Sequence, residues 1–217
     1  MRMPITNYAP RELTLFTTVL LAGAVLSLLA GIYWAGLVLL LALGFVLFFF
    51  RDPERGIIKN ESRFLAPADG RIVEVTTVDE GKYLKTEAVK VSIFMSIFDV
   101  HVNRIPCSGL VEFIDYQKGR FFDARTKEAS SRNENSMIGL LADGGNRFLV
   151  KQIAGLVARR IVCPVTVGDR LEQGQRFGMV KFGSRLELFI PKGTKVRVRV
   201  KEGQKVVAGL TVLAELI

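Results

Sequence analysis

The chain of 217 residues, with a mass of 24.1 kDa, is long enough for one domain with its own core plus a small additional element. Its 30 Lys and Arg against 21 Asp and Glu give a formal net charge of +9, which favours anionic partners. Two cysteines, Cys107 and Cys163, lie far apart and outside any CxxC or Cys/His cluster, so neither a disulfide framework nor a metal site is predicted.

The N-terminal part is strongly apolar. Residues Leu13 to Phe50 include no charged side chain, and this run is nearly twice the roughly 20 residues that one membrane span needs. The segment AGIYWAG, Ala30 to Gly36, supplies small residues for a tight turn. We therefore predict that residues 1–50 form a membrane-anchoring helical hairpin, with spans at about Leu13 to Leu29 and Ala35 to Phe50. A cleaved signal peptide is the alternative, but its apolar region would be much shorter.

Arginines flank the hairpin on both sides, with Arg2 and Arg11 before it and Arg51 and Arg55 after it. Positive charge marks the cytoplasmic side of membrane segments. The sequence thus predicts a cell-membrane protein with both ends of the hairpin, and the domain that follows, in the cytoplasm.

The remainder, residues 51–217, alternates short apolar runs with glycine and polar turns, which is typical of a mostly β domain of barrel or sandwich type. The segment VGDRLEQGQRFG, from Val167, resembles the barrel-sandwich fold of biotinyl and lipoyl carriers. Residues Phe121 to Leu140 are polar and break the rhythm, so we predict a long loop or lid there, with room for a helical turn. The runs expected to be strands are GRIVEVTTV, KVSIFMSI, GLVEFIDY, NRFLVKQIAG and RIVCPVTV.

The pair Gly183-Ser184 lies between two strand-like runs in GMVKFGSRLELFIPKG, Gly178 to Gly193. Glycine at the first central position of a two-residue turn is a common hairpin signal, so a plain turn is one interpretation. The other is a reaction site, because serine is a potential nucleophile and glycine tolerates a strained backbone.

Two further residues have both a structural and a catalytic interpretation. His101 is the only histidine, and its side chain is suited to proton transfer near neutral pH, although it is equally explained as a core residue. Asp69, in APADGRI, is commonly a turn carboxylate. Together with Ser184 they are the residue types of a nucleophile, its base and the group that orients the base.

Four motifs carry a family resemblance: PADG from Pro67, FDVHVNRIP from Phe98, QIAGLVARRI from Gln152 and FGSRLELFIP from Phe182. Their order, after a membrane hairpin, resembles that of phosphatidylserine decarboxylase proenzymes of the short prokaryotic class. The resemblance implies a phospholipid substrate decarboxylated to phosphatidylethanolamine. It also implies self-cleavage between Gly183 and Ser184, with Ser184 becoming a pyruvoyl cofactor and the two fragments staying together as a heterodimer, whose further oligomerisation is open.

The resemblance assigns assisting roles to Asp69 and His101, His101 as the base and Asp69 as the residue that holds its ring. One departure from the long class of the family is that a second histidine, three residues after the first, is here Arg104. For the lipid phosphate, guanidinium groups are well matched, and Arg104, Arg159 and Arg160 are the candidates.

Other functions are weighed against this one. A carrier domain would use Lys181 as the modified residue at a hairpin tip, and a membrane-tethered hydrolase would keep Ser184 as an unmodified nucleophile. Nucleic acid is not an expected partner, because the sequence has no recognition helix or RNP-like motif. Whether the lipid tails are acyl esters or isoprenoid ethers is left open by the sequence.

Overall fold

A computed structural model describes residues 5–156, 160–181 and 183–217. These residues form two compact units, the first ending at Glu54 and the second spanning Arg55–Ile217. The division lies a few residues beyond the predicted end of the hairpin.

The first unit contains two apolar helices, α1 (Pro10–Leu29) and α2 (Tyr33–Phe49). By length and composition α1 is able to cross a membrane, and α2 is a shorter apolar helix. The turn between them is shorter than predicted, because Gly31 adopts a left-handed φ of 74° and the chain reverses within three residues. Small residues bring the helices together: a Cβ added at Gly36 would lie 2.9 Å from Leu28 Cδ2.

The second unit is mostly β, which confirms the predicted fold class of a barrel-like β domain after two apolar helices. Its elements are β1 (Arg63–Leu65), β2 (Gly70–Glu80), β3 (Thr86–Met95), β4 (Val102–Arg104), β5 (Gly109–Gln117), α3 (Lys127–Arg132), β6 (Asn135–Ala142), β7 (Arg147–Ile153), β8 (Ile161–Val162), β9 (Arg170–Leu171), β10 (Arg176–Val180), β11 (Ser184–Pro191), β12 (Val196–Val198), β13 (Lys205–Val206) and β14 (Val212–Leu216).

Eight strands form one sheet in the order β13-β2-β3-β11-β7-β6-β5-β9, and this sheet curls into a half-barrel. Two three-stranded sheets, β4-β10-β8 and β1-β14-β12, complete the unit. The core lies on one face of the large sheet, where apolar side chains such as Ile93, Val150 and Leu186 are fully buried. Strand β11 is central, because it pairs antiparallel with β3 on one side and β7 on the other.

Two sequence predictions need correction. Gly183-Ser184 is not a hairpin turn among the described strands: β10 pairs with β4 and β8, whereas β11 pairs with β3 and β7, so the pair connects two different sheets. The predicted loop from Phe121 to Leu140 is too long, because its last residues belong to β6, where alternate side chains are buried in the core. The expected helical turn within it is the short helix α3.

Candidate active site

Ser184 is the first residue of β11 and is fully buried. Strand alternation places its side chain on the same face as Leu186 and Leu188, toward the core. Within the described parts of the chain its Oγ has no hydrogen-bond partner. A buried hydroxyl without a partner costs free energy, so it calls for a functional explanation.

The residue before it, Gly183, has a φ of 63°, in the left-handed region that favours glycine. Its carbonyl oxygen packs against Gly155, where an added Cβ would lie only 1.7 Å from Gly183 O. Only glycine at position 155 leaves room for the carbonyl in this position. The geometry of the peptide bond between Gly183 and Ser184 therefore depends on two glycines, Gly183 for its backbone conformation and Gly155 for the space around its carbonyl oxygen.

His101 lies in the segment between β3 and β4, directly before Val102, and is fully buried. Its Nδ1 is 2.9 Å from the backbone carbonyl oxygen of Asp99. Because a carbonyl oxygen only accepts hydrogen bonds, Nδ1 must carry a proton, and in the neutral ring Nε2 then holds the lone pair. The carboxylate of Asp99 accepts bonds from the backbone N–H and the hydroxyl of Ser96, which fixes this segment. His101 is thus built in the tautomer that a base at Nε2 requires.

Met95 links the surroundings of Ser184 and His101. Its Cα faces Ser184 in the β3–β11 ladder, and its sulfur lies 3.6 Å from Nδ2 of Asn103, two residues after His101. Asn103 also accepts a 2.8 Å hydrogen bond from Gln152 Nε2. This buried amide pair was not singled out from the sequence, because two amides 49 residues apart have no common local signal.

Asp69 has different partners from those that the family resemblance implied. Its carboxylate forms a bidentate ion pair with Arg55, with Nη1–Oδ1 and Nη2–Oδ2 distances of 2.7 and 2.8 Å, and accepts a 2.8 Å bond from the Ala208 N–H. No described hydrogen bond joins Asp69 to His101, whose Nδ1 is oriented by Asp99 instead. In this uncleaved chain Asp69 therefore anchors Arg55, the first residue of the second, mostly β unit, which we call the β unit.

The three candidate phosphate ligands are not equivalent. Arg104 is buried and donates a 3.0 Å hydrogen bond to the Gly174 carbonyl, so this guanidinium points into the unit. Arg160 is exposed. Arg159 lies outside the described residues. Lys181, the residue of the carrier alternative, is only 6% exposed, whereas a carrier lysine must reach solvent.

The opposite face of β11 carries a buried charge network. Arg185 is 1% exposed and contacts two carboxylates, with 2.6 Å to Glu74 Oε2 and 2.9 Å to Glu187 Oε1. Lys90 pairs with the same Glu74 oxygen at 2.9 Å. Burial alone would raise the pKa of Glu74, but Lys90 and Arg185 outweigh it, and the pKa lies below its usual value.

This network extends to the segment before β6. Glu187 is fully buried and accepts a 2.9 Å bond from Ser130 Oγ, and the Ser130 carbonyl accepts a 2.7 Å bond from Lys151 Nζ. Burial lowers the pKa of Lys151. These hydrogen bonds attach helix α3 to the sheet on the face opposite to Ser184. This network was not identified from the sequence, although Arg185 and Glu187 alternate with apolar residues in β11.

The chain is similar to known proteins over most or all of its length. A sequence model of the phosphatidylserine decarboxylase family matches residues 42–214. The phosphatidylserine decarboxylase proenzyme of Symbiobacterium thermophilum is 46% identical over 217 residues, covering 100% of this chain and 98% of the relative. The proenzymes of Carboxydothermus hydrogenoformans and Nitrosomonas europaea are 47% identical over 199 residues and 49% identical over 187 residues, covering 91% and 86% of this chain and 92% and 85% of the relatives.

Proposed function

The chain belongs to the phosphatidylserine decarboxylase family, and we propose that it removes CO2 from the serine headgroup of phosphatidylserine to give phosphatidylethanolamine. The single observation that carries the proposal is the buried Ser184 hydroxyl without a described hydrogen-bond partner, placed after a left-handed glycine. The relatives' name, proenzyme, supports processing of the chain before it acts.

We further propose that the chain cleaves itself at this serine. Ser184 Oγ attacks the carbonyl carbon of Gly183, the C–N bond breaks, and an ester replaces the peptide bond while the nitrogen takes up a proton. Loss of the Ser184 Cα proton then expels the Gly183 carboxylate and leaves dehydroalanine. Water converts this residue to a pyruvoyl group and releases ammonia, so the products are a long chain ending at Gly183 and a short one that begins at position 184.

The site fits this group. The Ser184 side chain faces the apolar core and has no described hydrogen-bond partner to lose, and glycine at position 183 places no side chain beside the scissile carbonyl. A pyruvoyl group supplies a carbonyl that, once joined to the substrate amine, accepts the electron pair left by CO2.

His101 is the proposed proton carrier in both stages. With Nδ1 donating to Asp99 O, its Nε2 is the atom that takes the Ser184 hydroxyl proton during self-cleavage. The same nitrogen would return a proton to the substrate carbon after CO2 has left. Asp69 remains a proposed contributor to the first stage, although its described partner is Arg55.

The remaining proposals concern the setting of the reaction. The two apolar helices would hold the β unit at a membrane, on its cytoplasmic side, where a diacyl phospholipid is accessible. The fragments would stay associated as a heterodimer, because β11, β13 and β14 of the short fragment pair with strands of the long one.

The test is the fate of the purified chain without added protease. We expect the 24.1 kDa species to be replaced by fragments 1–183 and 184–217, the shorter with a blocked N-terminus that reacts with borohydride. Ser184→Ala should stay whole and lack decarboxylase activity. Active wild-type protein that stays full length by mass spectrometry would disprove the pyruvoyl mechanism. A hydrolase would instead keep Ser184 intact, and a carrier would gain mass at Lys181.

A further inference from the structure

A cleft of about 500 Å³ opens beside the segment that carries His101. Three cationic side chains line it, from Arg71 at the start of β2, Arg125 before α3 and Lys205 in β13. Phe94 and Phe98 supply its apolar wall. A cleft with cations on one side and aromatic rings on the other fits a ligand that is anionic at one end and apolar at the other.

Arg71 and Lys205 are direct cross-strand neighbours in the β2–β13 ladder. Paired residues of an antiparallel ladder project from the same face, and like charges in this position repel each other. Both residues are exposed, and the ammonium of Lys205 has no ion-pair partner in the part of the chain that the structure describes. An anion bound between them would remove the repulsion.

Arg125 reaches the cleft from the loop before α3. It forms a 2.6 Å ion pair with Asp123, and its guanidinium carbon lies 5.8 Å from the centre of the Phe94 ring. Among the described residues that line the cleft, Asp99 is the one carboxylate beside three cations, and it accepts two hydrogen bonds from Ser96. The cleft thus keeps a positive balance.

The sheet register gives the distance from the cleft to the scissile bond. Arg71 pairs with Phe94, and Phe94 pairs with Arg185, the residue after Ser184. Two strand spacings amount to about 10 Å between the Cα atoms of Arg71 and Arg185. Arg71, Phe94 and Arg185 project from the face of the sheet opposite to Ser184, and the Arg71 guanidinium donates a 2.5 Å hydrogen bond to the Gly203 carbonyl. A headgroup held in the cleft would therefore reach the scissile bond around the end of β11, where Gly183 precedes the strand.

An apolar tip adjoins the cleft. Ile97 and Phe98 are 40% and 63% exposed, and they lie between Ser96 and Asp99, whose hydrogen bonds close the tip. Large exposed apolar side chains next to a basic cleft are suited to the boundary between headgroups and acyl chains.

We propose that this cleft binds the phosphodiester of the membrane phospholipid substrate, with Arg71, Lys205 and Arg125 contacting the phosphate while the Ile97-Phe98 tip enters the lipid layer. The inference rests on the proposed function and deepens it. It replaces Arg104, which points into the unit, by residues that face solvent at the cleft.

The test is a double substitution, Arg71→Gln with Lys205→Gln, in the full chain assayed in mixed micelles of phosphatidylserine. A lost charge-assisted hydrogen bond weakens binding by about tenfold or more, so KM should rise by at least that factor with a smaller effect on kcat. The matched control, Lys195→Gln with Arg197→Gln, removes the same two charge types from exposed positions elsewhere and should leave KM within about twofold. Equal KM values for both double variants would overturn the proposal.

A binding measurement separates this proposal from the reaction. Calorimetry with the uncleaved Ser184→Ala chain should show that soluble glycerophosphoserine binds at least tenfold more weakly once Arg71 and Lys205 are replaced. This result would support the cleft even if the wild-type chain proved inactive. Binding of inorganic phosphate as tight as that of glycerophosphoserine would overturn it, because a general anion site would then be present.

Discussion

The carbonyl oxygen of Gly183 lies against the backbone of Gly155, so closely that a Cβ at position 155 would come within 1.7 Å of it. Gly155 follows β7 and Gly183 precedes β11, and these two strands pair with each other in the large sheet. The ladder thus fixes where the scissile carbonyl lies. Any side chain at position 155 must move that carbonyl or the backbone that carries it.

Gly155→Ala is therefore expected to block or strongly slow self-cleavage, because the Gly183 carbonyl is displaced from the Ser184 hydroxyl. The measurement is the fraction of full-length chain on a denaturing gel over time after synthesis. Gly193→Ala is the matched control, since a Cβ there meets nothing within 4 Å and the φ is not left-handed. Normal cleavage of the Gly155→Ala chain would show that the close approach has no part in the reaction.

His101→Ala should slow self-cleavage by about 10²–10⁴-fold at neutral pH, the usual contribution of a general base. No second histidine is present in the sequence to take over the proton. Whatever fraction of the chain does become cut should also lack decarboxylase activity. A pulse-chase measurement of cutting, followed by an assay of the cut fraction, checks both stages, and near-normal values in either would remove His101 from that stage.

Asp69→Asn and Arg55→Gln should destabilise the fold to a similar degree, by about 3–5 kcal/mol, because each leaves the other member of a largely buried ion pair without its partner. If Asp69 also assists the chemistry, Asp69→Asn should slow the cut more than Arg55→Gln does. Thermal unfolding in the Ser184→Ala background measures the first effect and the rate of cutting the second. Equal cutting rates would restrict Asp69 to anchoring Arg55.

The charge network behind Ser184 predicts a pH dependence of stability. The folded-state pKa of Glu74 is lowered, so this carboxylate stabilises the fold above its unfolded-state pKa of 4.5, and that stabilisation is lost as the pH falls through the lower folded-state value. In the uncleaved Ser184→Ala chain, Tm should fall more steeply below about pH 4.5 than it does when Glu74→Gln is added. Glu61→Gln, at an exposed position, should keep the wild-type profile.

The membrane orientation is open to direct labelling. A cysteine introduced at exposed Lys195, in a chain with Cys163→Ala, should react with a membrane-impermeant maleimide only after the cells are opened. Cys107 is buried, and its pKa is raised to about 11 by burial, so it should contribute little background. Labelling of intact cells would place the β unit outside.

Local sequence patterns predicted much of the fold. Alternation in GRIVEVTTV and GLVEFIDY gave β2 and β5, because a half-buried strand must alternate whatever its partners are. The same reasoning failed at Gly183-Ser184. A glycine between two strand-like runs has the local features of a hairpin, but pairing of β11 with β3 and β7 depends on residues far away in the sequence.

The candidate site was predictable to a similar extent. Ser184 and His101 are recognisable as residue types with chemical potential, and both are fully buried. The partner of Asp69 was not predictable, because Arg55 and Ala208 meet it only through the tertiary fold. Neither was the facing pair of Arg71 and Lys205, which a ladder between distant strands creates.

The inner position of β11 in the large sheet affects whether the mature protein can refold after it has unfolded. After the proposed cut, a segment of 34 residues, 184–217, would still supply β11, an inner strand of the eight-stranded sheet. This segment would no longer be covalently connected to Gly183, so the chain would no longer hold β11 close to its partner strands. Once denatured, the two pieces would have to find each other as a bimolecular encounter, and the pyruvoyl end could not return to a peptide bond. Refolding of the mature protein would therefore depend on protein concentration, and in dilute solution its lifetime would be set by the rate of unfolding rather than by an equilibrium between folded and unfolded chains.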